Sequence, residues 1–102
     1  MGVPVIQKRI KPRRQKQPAH KARVAAQGCL VCKRPAEVHH VRTGNQGKDD
    51  RRVVPLCPDH HRSDIGFHGL GSERAFYQEY GINLSLEAER LAMESKWEGI
   101  LP

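Results

Sequence analysis

No apolar run in this chain reaches the roughly 20 residues that a membrane-spanning helix needs, and the mean hydropathy is −0.69. The opening residues, Met1 to Lys8, lack the apolar stretch of a secretory signal. Their basic character overlaps with that of a transit peptide, but prolines at 4, 12 and 18 break the helix such a peptide requires. Glycine-rich phosphate loops of the P-loop type are missing, and so are internal repeats. Three cysteines is an odd count, which fits a disulfide framework poorly and points to reduced thiols in a cytosol. Acidic residues are absent from positions 1–36, which carry ten Lys/Arg.

A chain of 102 residues is one domain at most, with a small core. Hydrophobic residues make up 37%, so a metal staple would help it hold one fold. Residues 37–72 carry five charges of each sign, and residues 73–102 carry three Lys/Arg against six Asp/Glu. The resulting net charge of +7 is concentrated at one end and points to a polyanionic partner, nucleic acid first. The competing reading is a solubilising tail.

Residues 1–18, with Lys8, Arg9, Lys11, Arg13, Arg14 and Lys16, read as a flexible or extended basic arm. Residues 19–102 read as a single domain. Ala19 to Gln27 is predicted helical, stopped by Gly28, with His20 as an exposed helix residue. Glu37–Arg42 and Arg51–Leu56 read as short strands separated by a polar loop, with Pro55 closing the second. A helix is expected from Cys57 to about Asp64, with Pro58 in its first turn. Gly66–Gly71 reads as a glycine-rich bend. Ser72 should cap a helix through Tyr80, and a last helix should run from near Leu84–Leu86 to about Trp97. Its residues Leu84, Ala88 and Leu91 share one face, and Leu86, Met93 and Trp97 an adjacent one. The aromatic residues are read as core rather than as platforms for stacking bases.

The organising stretch is Cys29 to His68, which holds all three cysteines and five of the six histidines. Cys29 and Cys32 have the spacing with which a tight turn presents two thiolates to one tetrahedral metal. A redox dithiol is the competing reading, but it usually precedes a helix, and here Pro35 and a strand-like run follow. Cys57 and His60 repeat the same gap. The four residues Cys29, Cys32, Cys57 and His60 make a closed set for a structural zinc.

His39 and His40 are neighbours on a strand and point to opposite faces. Separate roles are therefore natural, one imidazole holding a metal and the other acting on water, as a phosphodiester hydrolase requires. His61 would present a further ligand from the helix. His68 would add a ligand or contact a phosphate if the bend folds back. The competing reading has one histidine of each pair merely supporting the zinc ligands from behind.

The pattern Cys29-x-x-Cys32, His39-His40, Pro55-Leu56-Cys57, His60-His61 resembles the HNH endonucleases over roughly residues 28–68. That resemblance implies an α+β fold with a zinc-stapled ββα-metal core at 28–68, and the helices read above at 72–97 would flank it. Further likeness, in Ala36–His40, Pro55–Arg62 and the Phe76 to Ile82 region, is to small phage and prophage HNH nucleases. Among these is a recombination-enhancing nuclease that works with the host recombinase RecA. The resemblance implies DNA as substrate, a recombination protein such as RecA as partner, and the cytoplasm of a bacterial host as location. It makes His40 the general base, and places His39 and His61 at catalytic-metal positions and His60 where many relatives have the fourth zinc cysteine. The catalytic ion it implies is magnesium or manganese, with nickel or zinc in some members; three histidine ligands, His39, His61 and His68, lean towards the softer metals. The family's middle Asn falls near Arg52 here. Orientation of His40 is thus left to a backbone carbonyl, Asn45 or Asp50. Lys48, Arg51, Arg52 and Arg62 are candidate contacts to the DNA backbone. The alternative to a nuclease is a non-catalytic zinc module that binds nucleic acid or a protein.

Overall fold

The computed structural model describes residues 16–42 and 47–102 of the chain. Residues 1–15 of the expected arm, and Asn45, lie outside the described residues. Among the described residues, five helices and two strands follow in the order α1 (Pro18–Ala26), β1 (Glu37–His40), β2 (Val53–Leu56), α2 (Pro58–Arg62), α3 (Phe67–Leu70), α4 (Glu73–Tyr80) and α5 (Leu84–Trp97). The fold is α+β: a two-stranded sheet packed among helices, as expected. Among the described residues, no helix is long and apolar enough to cross a membrane.

The strands pair antiparallel, with Glu37 opposite Leu56, His39 opposite Val54 and His40 opposite Val53. All four residues of β2 are buried, because α1 and α5 cover it. Val24 of α1, Val53, Val54 and Leu56 of β2, Phe76 of α4, and Leu84, Ala88 and Leu91 of α5 form the core. Pro55 lies inside β2 rather than at its end. It has no N–H to give, and its carbonyl accepts from Leu30 N at 3.0 Å, which ties the strand to the first cysteine turn.

Local chemistry sets the element ends. Ser72 and Asn83 cap α4 and α5 by accepting from Ala75 N and Leu86 N. Gly81 ends α4 in the left-handed conformation. Gly28 does more than stop α1. At φ 82° its Cβ position would lie 2.8 Å from the Lys33 carbonyl, so only glycine lets the cysteine turn close against the helix end.

Three local expectations change. Residues 67–70 form a helical turn rather than an open bend. His20 is fully buried, not exposed, and its Nδ1 meets Ser95 Oγ at 2.7 Å, joining α1 to α5. Burial lowers its pKa, opposed by the Arg51 backbone. Phe76 is core, but Trp97 is 92% exposed, and Leu86 and Met93 on the same stripe are also exposed. Helix α5 buries one face only, and the adjacent stripe is left outside.

Candidate metal centres and the cleft beside them

Two groups of ligand-type side chains both draw on α2, one completed by the turn after α1 and the other by β1 and α3. The first comprises Cys29, Cys32, Cys57 and His60. Cys29 and Cys32 sit on a turn closed by Cys29 N to Arg34 O and Lys33 N to Cys29 O, both 2.9 Å. Cys57 is the N-cap of α2, so its sulfur both accepts from His60 N at 3.5 Å and faces the cluster. Val31 N donates to Cys29 Sγ at 3.4 Å. Backbone donors directed at sulfur favour thiolate over thiol. Burial pushes the Cys29 thiol up, but hydrogen bonds from the backbone of Cys57, Cys32 and Val31 outweigh it and bring the pKa down to about 6.

The spacing of these atoms meets a simple test. Around a tetrahedral zinc, two sulfurs stand about 3.8 Å apart and a sulfur and a nitrogen about 3.6 Å. Here Cys32 Sγ and Cys57 Sγ are 3.6 Å apart, and His60 Nδ1 lies 3.7 Å from Cys29 Sγ and 3.2 Å from Cys57 Sγ. The arrangement is compatible with a zinc site. The Tyr80 ring stands edge-on to His60 at 5.4 Å, while its hydroxyl donates to the Ile65 carbonyl, so α4 holds the outer side of the cluster.

The second group is His39, His61 and His68. His39 Nδ1 lies 3.2 Å from His61 Nε2, and His68 Nε2 lies 3.2 Å from the same nitrogen. Two nitrogens bound to one ion are separated by about 2.9 Å at a right angle and about 3.3 Å at the tetrahedral angle. The trio fits that range and could hold one divalent cation. Each member comes from a different element: β1, α2 and α3. His68 arrives because α3 folds tightly onto α2. A Cβ at Gly69 would stand 2.4 Å from the Ser63 carbonyl, so glycine is needed for that approach. Beneath the trio, the Phe67 ring lies 4.2 Å from His39 and continues to Phe76 in the core.

Carboxylates fix two of the rings. Glu37 Oε1 accepts from His61 Nδ1 at 2.7 Å and from Arg62 Nε at 2.7 Å, and Arg62 also engages Oε2. Arg62 chiefly, then His61, hold the Glu37 pKa at about 2 against the opposing effect of burial. Asp50 Oδ1 accepts from His40 Nε2 at 2.8 Å. Asp50 is fully buried, and its Oδ2 also takes Gln17 N at 3.1 Å and the Lys21 ammonium at 3.4 Å. Of the three groups considered for orienting His40, Asp50 is therefore in contact with it, while Asn45 lies outside the described residues. His39 is held neutral: burial first, then the charges of His61, His68 and His40, bring its pKa to about 4.

His39, His40, His61 and His68 all line one cleft of about 390 Å³. Although neighbours on a strand, His39 and His40 engage different partners at this cleft, His61 and Asp50 respectively. Among the four cations named from sequence, Lys48 lines this cleft. Arg62 stands beside it, paired with Glu37, and Arg51 and Arg52 face a different cleft under α5. Sequence reasoning missed Glu37 and Arg42. Arg42 lines the histidine cleft two residues after His40, and Glu37 stands two residues before His39; these short spacings were the available signal. Comparison with protein-family models, with curated proteins and with solved structures finds no match for this chain.

Proposed function

We propose that this chain is a metal-dependent nuclease of the HNH type, hydrolysing DNA phosphodiester bonds, with β1, β2 and α2 as its ββα-metal unit. The observation that carries this reading is the pairing of His40 with the buried Asp50, beside three histidines spaced for one cation, in a single cleft. A second group with zinc-like spacing adjoins it, and the chain carries a net charge of +7.

A divalent ion held by His39, His61 and His68 would supply positive charge for the phosphate and its leaving oxygen. The protein's own groups account for the rest. The bond to Asp50 keeps the His40 proton on Nε2, so Nδ1 is the nitrogen with a free lone pair, and it takes a proton from the attacking water. Asp50 also stabilises the imidazolium that results. Glu37 keeps the His61 proton on Nδ1 and presents Nε2 to the cation. Arg42 and Lys48 at the cleft rim hold the phosphodiester and neutralise its charge. In this reading Cys29, Cys32, Cys57 and His60 hold a structural zinc that fastens the α1 turn, β2 and α2 together, and the basic residues of 1–16 add salt-dependent affinity.

A supercoiled-plasmid nicking assay with Mg²⁺, Mn²⁺ or Ni²⁺ tests the proposal. The protein should nick in at least one metal, and His40→Ala should lower the rate by about 10²-fold or more while metal binding is retained. A plasmid left intact in every metal would leave a non-catalytic zinc module as the reading, and one cut equally by His40→Ala would remove His40 as the general base.

A further inference from the structure

A second cleft, of about 370 Å³, lies on the far side of the segment that holds His40. Residues 49–52 separate the two: Asp50 bonds His40, while Arg51 and Arg52 line the second cleft. Its other wall is α5, with Ala88, Ala92, Met93 and Lys96.

Arg52 has binding capacity that the fold does not use. A guanidinium carries five N–H donors. Among the described residues, Arg52 makes one ion pair, to Glu89 at a long 4.0 Å, and its buried Nε has no acceptor. Arg51 and Lys96 stand at the same cleft. The cleft is lined by three cations, Arg51, Arg52 and Lys96, and by two carboxylates, Asp49, paired with Arg51, and Glu89, 4.0 Å from Arg52; Glu94 beside it is held by Arg23 and Arg90, and Glu98 by Arg23. The local balance therefore favours an anion. The exposed stripe of α5 adjoins this cationic cleft. Met93 belongs to both and is 71% exposed, and Trp97, one helical turn on, is 92% exposed. Guanidinium donors next to an uncovered indole match a strand whose phosphates alternate with unstacked bases. They do not match an acidic peptide, which offers carboxylates but no flat apolar face. A duplex keeps its bases stacked inside and presents none to the indole.

We infer that the cleft between residues 49–52 and α5 binds single-stranded nucleic acid, with phosphates at Arg51, Arg52 and Lys96 and a base stacked on Trp97. This site is separate from the histidine cleft, and it rests on the nucleic-acid part of the proposed function but not on cleavage. The shared residues 49–52 put a strand bound here next to the support of His40.

Trp97 is the chain's one tryptophan, so its fluorescence reports on this surface directly. The zinc-loaded chain of 102 residues, with no other divalent cation added, is titrated with oligodeoxyuridylate and oligouridylate of about twelve nucleotides. A duplex of equal length and polyglutamate are run in parallel. Either single strand should quench Trp97, and the difference between them assigns the sugar; duplex and polyglutamate should quench little. By anisotropy of a labelled strand, Trp97→Ala and Arg52→Gln should each weaken binding about tenfold. Trp97 is too exposed for its replacement to unfold the domain, so that variant remains decisive if Arg52→Gln is unstable. Quenching by polyglutamate equal to that by the strands would overturn the inference. So would a Trp97→Ala protein that binds as tightly as the parent, because the basic residues before Gln17 would then account for all the affinity. Loss of plasmid nicking with retained strand binding would count against the nuclease and not against this site.

Discussion

Glu37 accepts the proton of His61 Nδ1 at 2.7 Å, and that bond turns His61 Nε2 towards His39 and His68. A carboxylate behind a ligating imidazole fixes the ring's tautomer and raises its basicity. Glu37→Ala should therefore weaken cation binding at the trio by about 10- to 100-fold, and leave zinc at the cysteine group in place. Calorimetric titration of the zinc-loaded protein with Mn²⁺ or Ni²⁺ measures this. An unchanged dissociation constant would mean that the Glu37 contact has no part in holding His61.

Asp50 gathers His40 Nε2, Gln17 N and the Lys21 ammonium, among others, at one buried carboxylate. Asp50→Ala should slow nicking by about 10- to 100-fold, with cation affinity at the trio little changed. It should also destabilise the domain by about 1–3 kcal/mol, because buried donors lose their acceptor. Nicking kinetics and a denaturant melt read the two effects separately.

The pH dependence of stability follows from His39. Its pKa falls from about 6.5 in an unfolded chain to about 4 in the fold. As pH drops, the unfolded state binds the proton first. The contribution from keeping His39 neutral is present above about pH 6.5 and is lost as pH falls through about 4, with a total on the order of 3 kcal/mol. His39→Asn should flatten the fall in melting midpoint across that window, and equal slopes in the two proteins would contradict the assignment.

Cys32→Ser removes one ligand of the cysteine group. Zinc at such sites contributes folding energy outright, and a small domain has only about 5–15 kcal/mol in total. The variant should lose its zinc and its cooperative thermal transition together. A chelator added to the parent protein should reproduce that loss, and a sharp, unshifted melt in Cys32→Ser would rule out the structural role.

Much of this was legible in the sequence because ligand chemistry is local. The Cys-x-x-Cys gap, the repeat of that gap in Cys57 and His60, and the strand, loop, strand, helix order can be read from neighbours a few residues apart. The cap at Ser72 and the stop at Gly28 follow the same logic. What sequence did not yield depends on contacts made far along the chain. His20 looks like a surface residue of a polar helix, and it is buried because Ser95, 75 positions later, supplies its partner. Asp50 is one of three groups the sequence offers for orienting His40, and only the packing of α1 and β1 around it brings its carboxylate to His40 Nε2. Trp97 shares an apolar periodicity with the buried face of α5, but among the described residues no further element covers that stripe, and composition carries no record of that.

The central claim is that two ions with different tasks sit side by side. Anomalous-scattering maps from crystals grown with Zn²⁺ and then soaked in Mn²⁺ test it most directly. The account predicts one zinc peak enclosed by Cys29, Cys32, Cys57 and His60, and a separate manganese peak touched by His39, His61 and His68, with His40 Nδ1 facing the same cleft. Zinc alone at the cysteine group, with the three histidines turned apart in the presence of ample manganese, would contradict it.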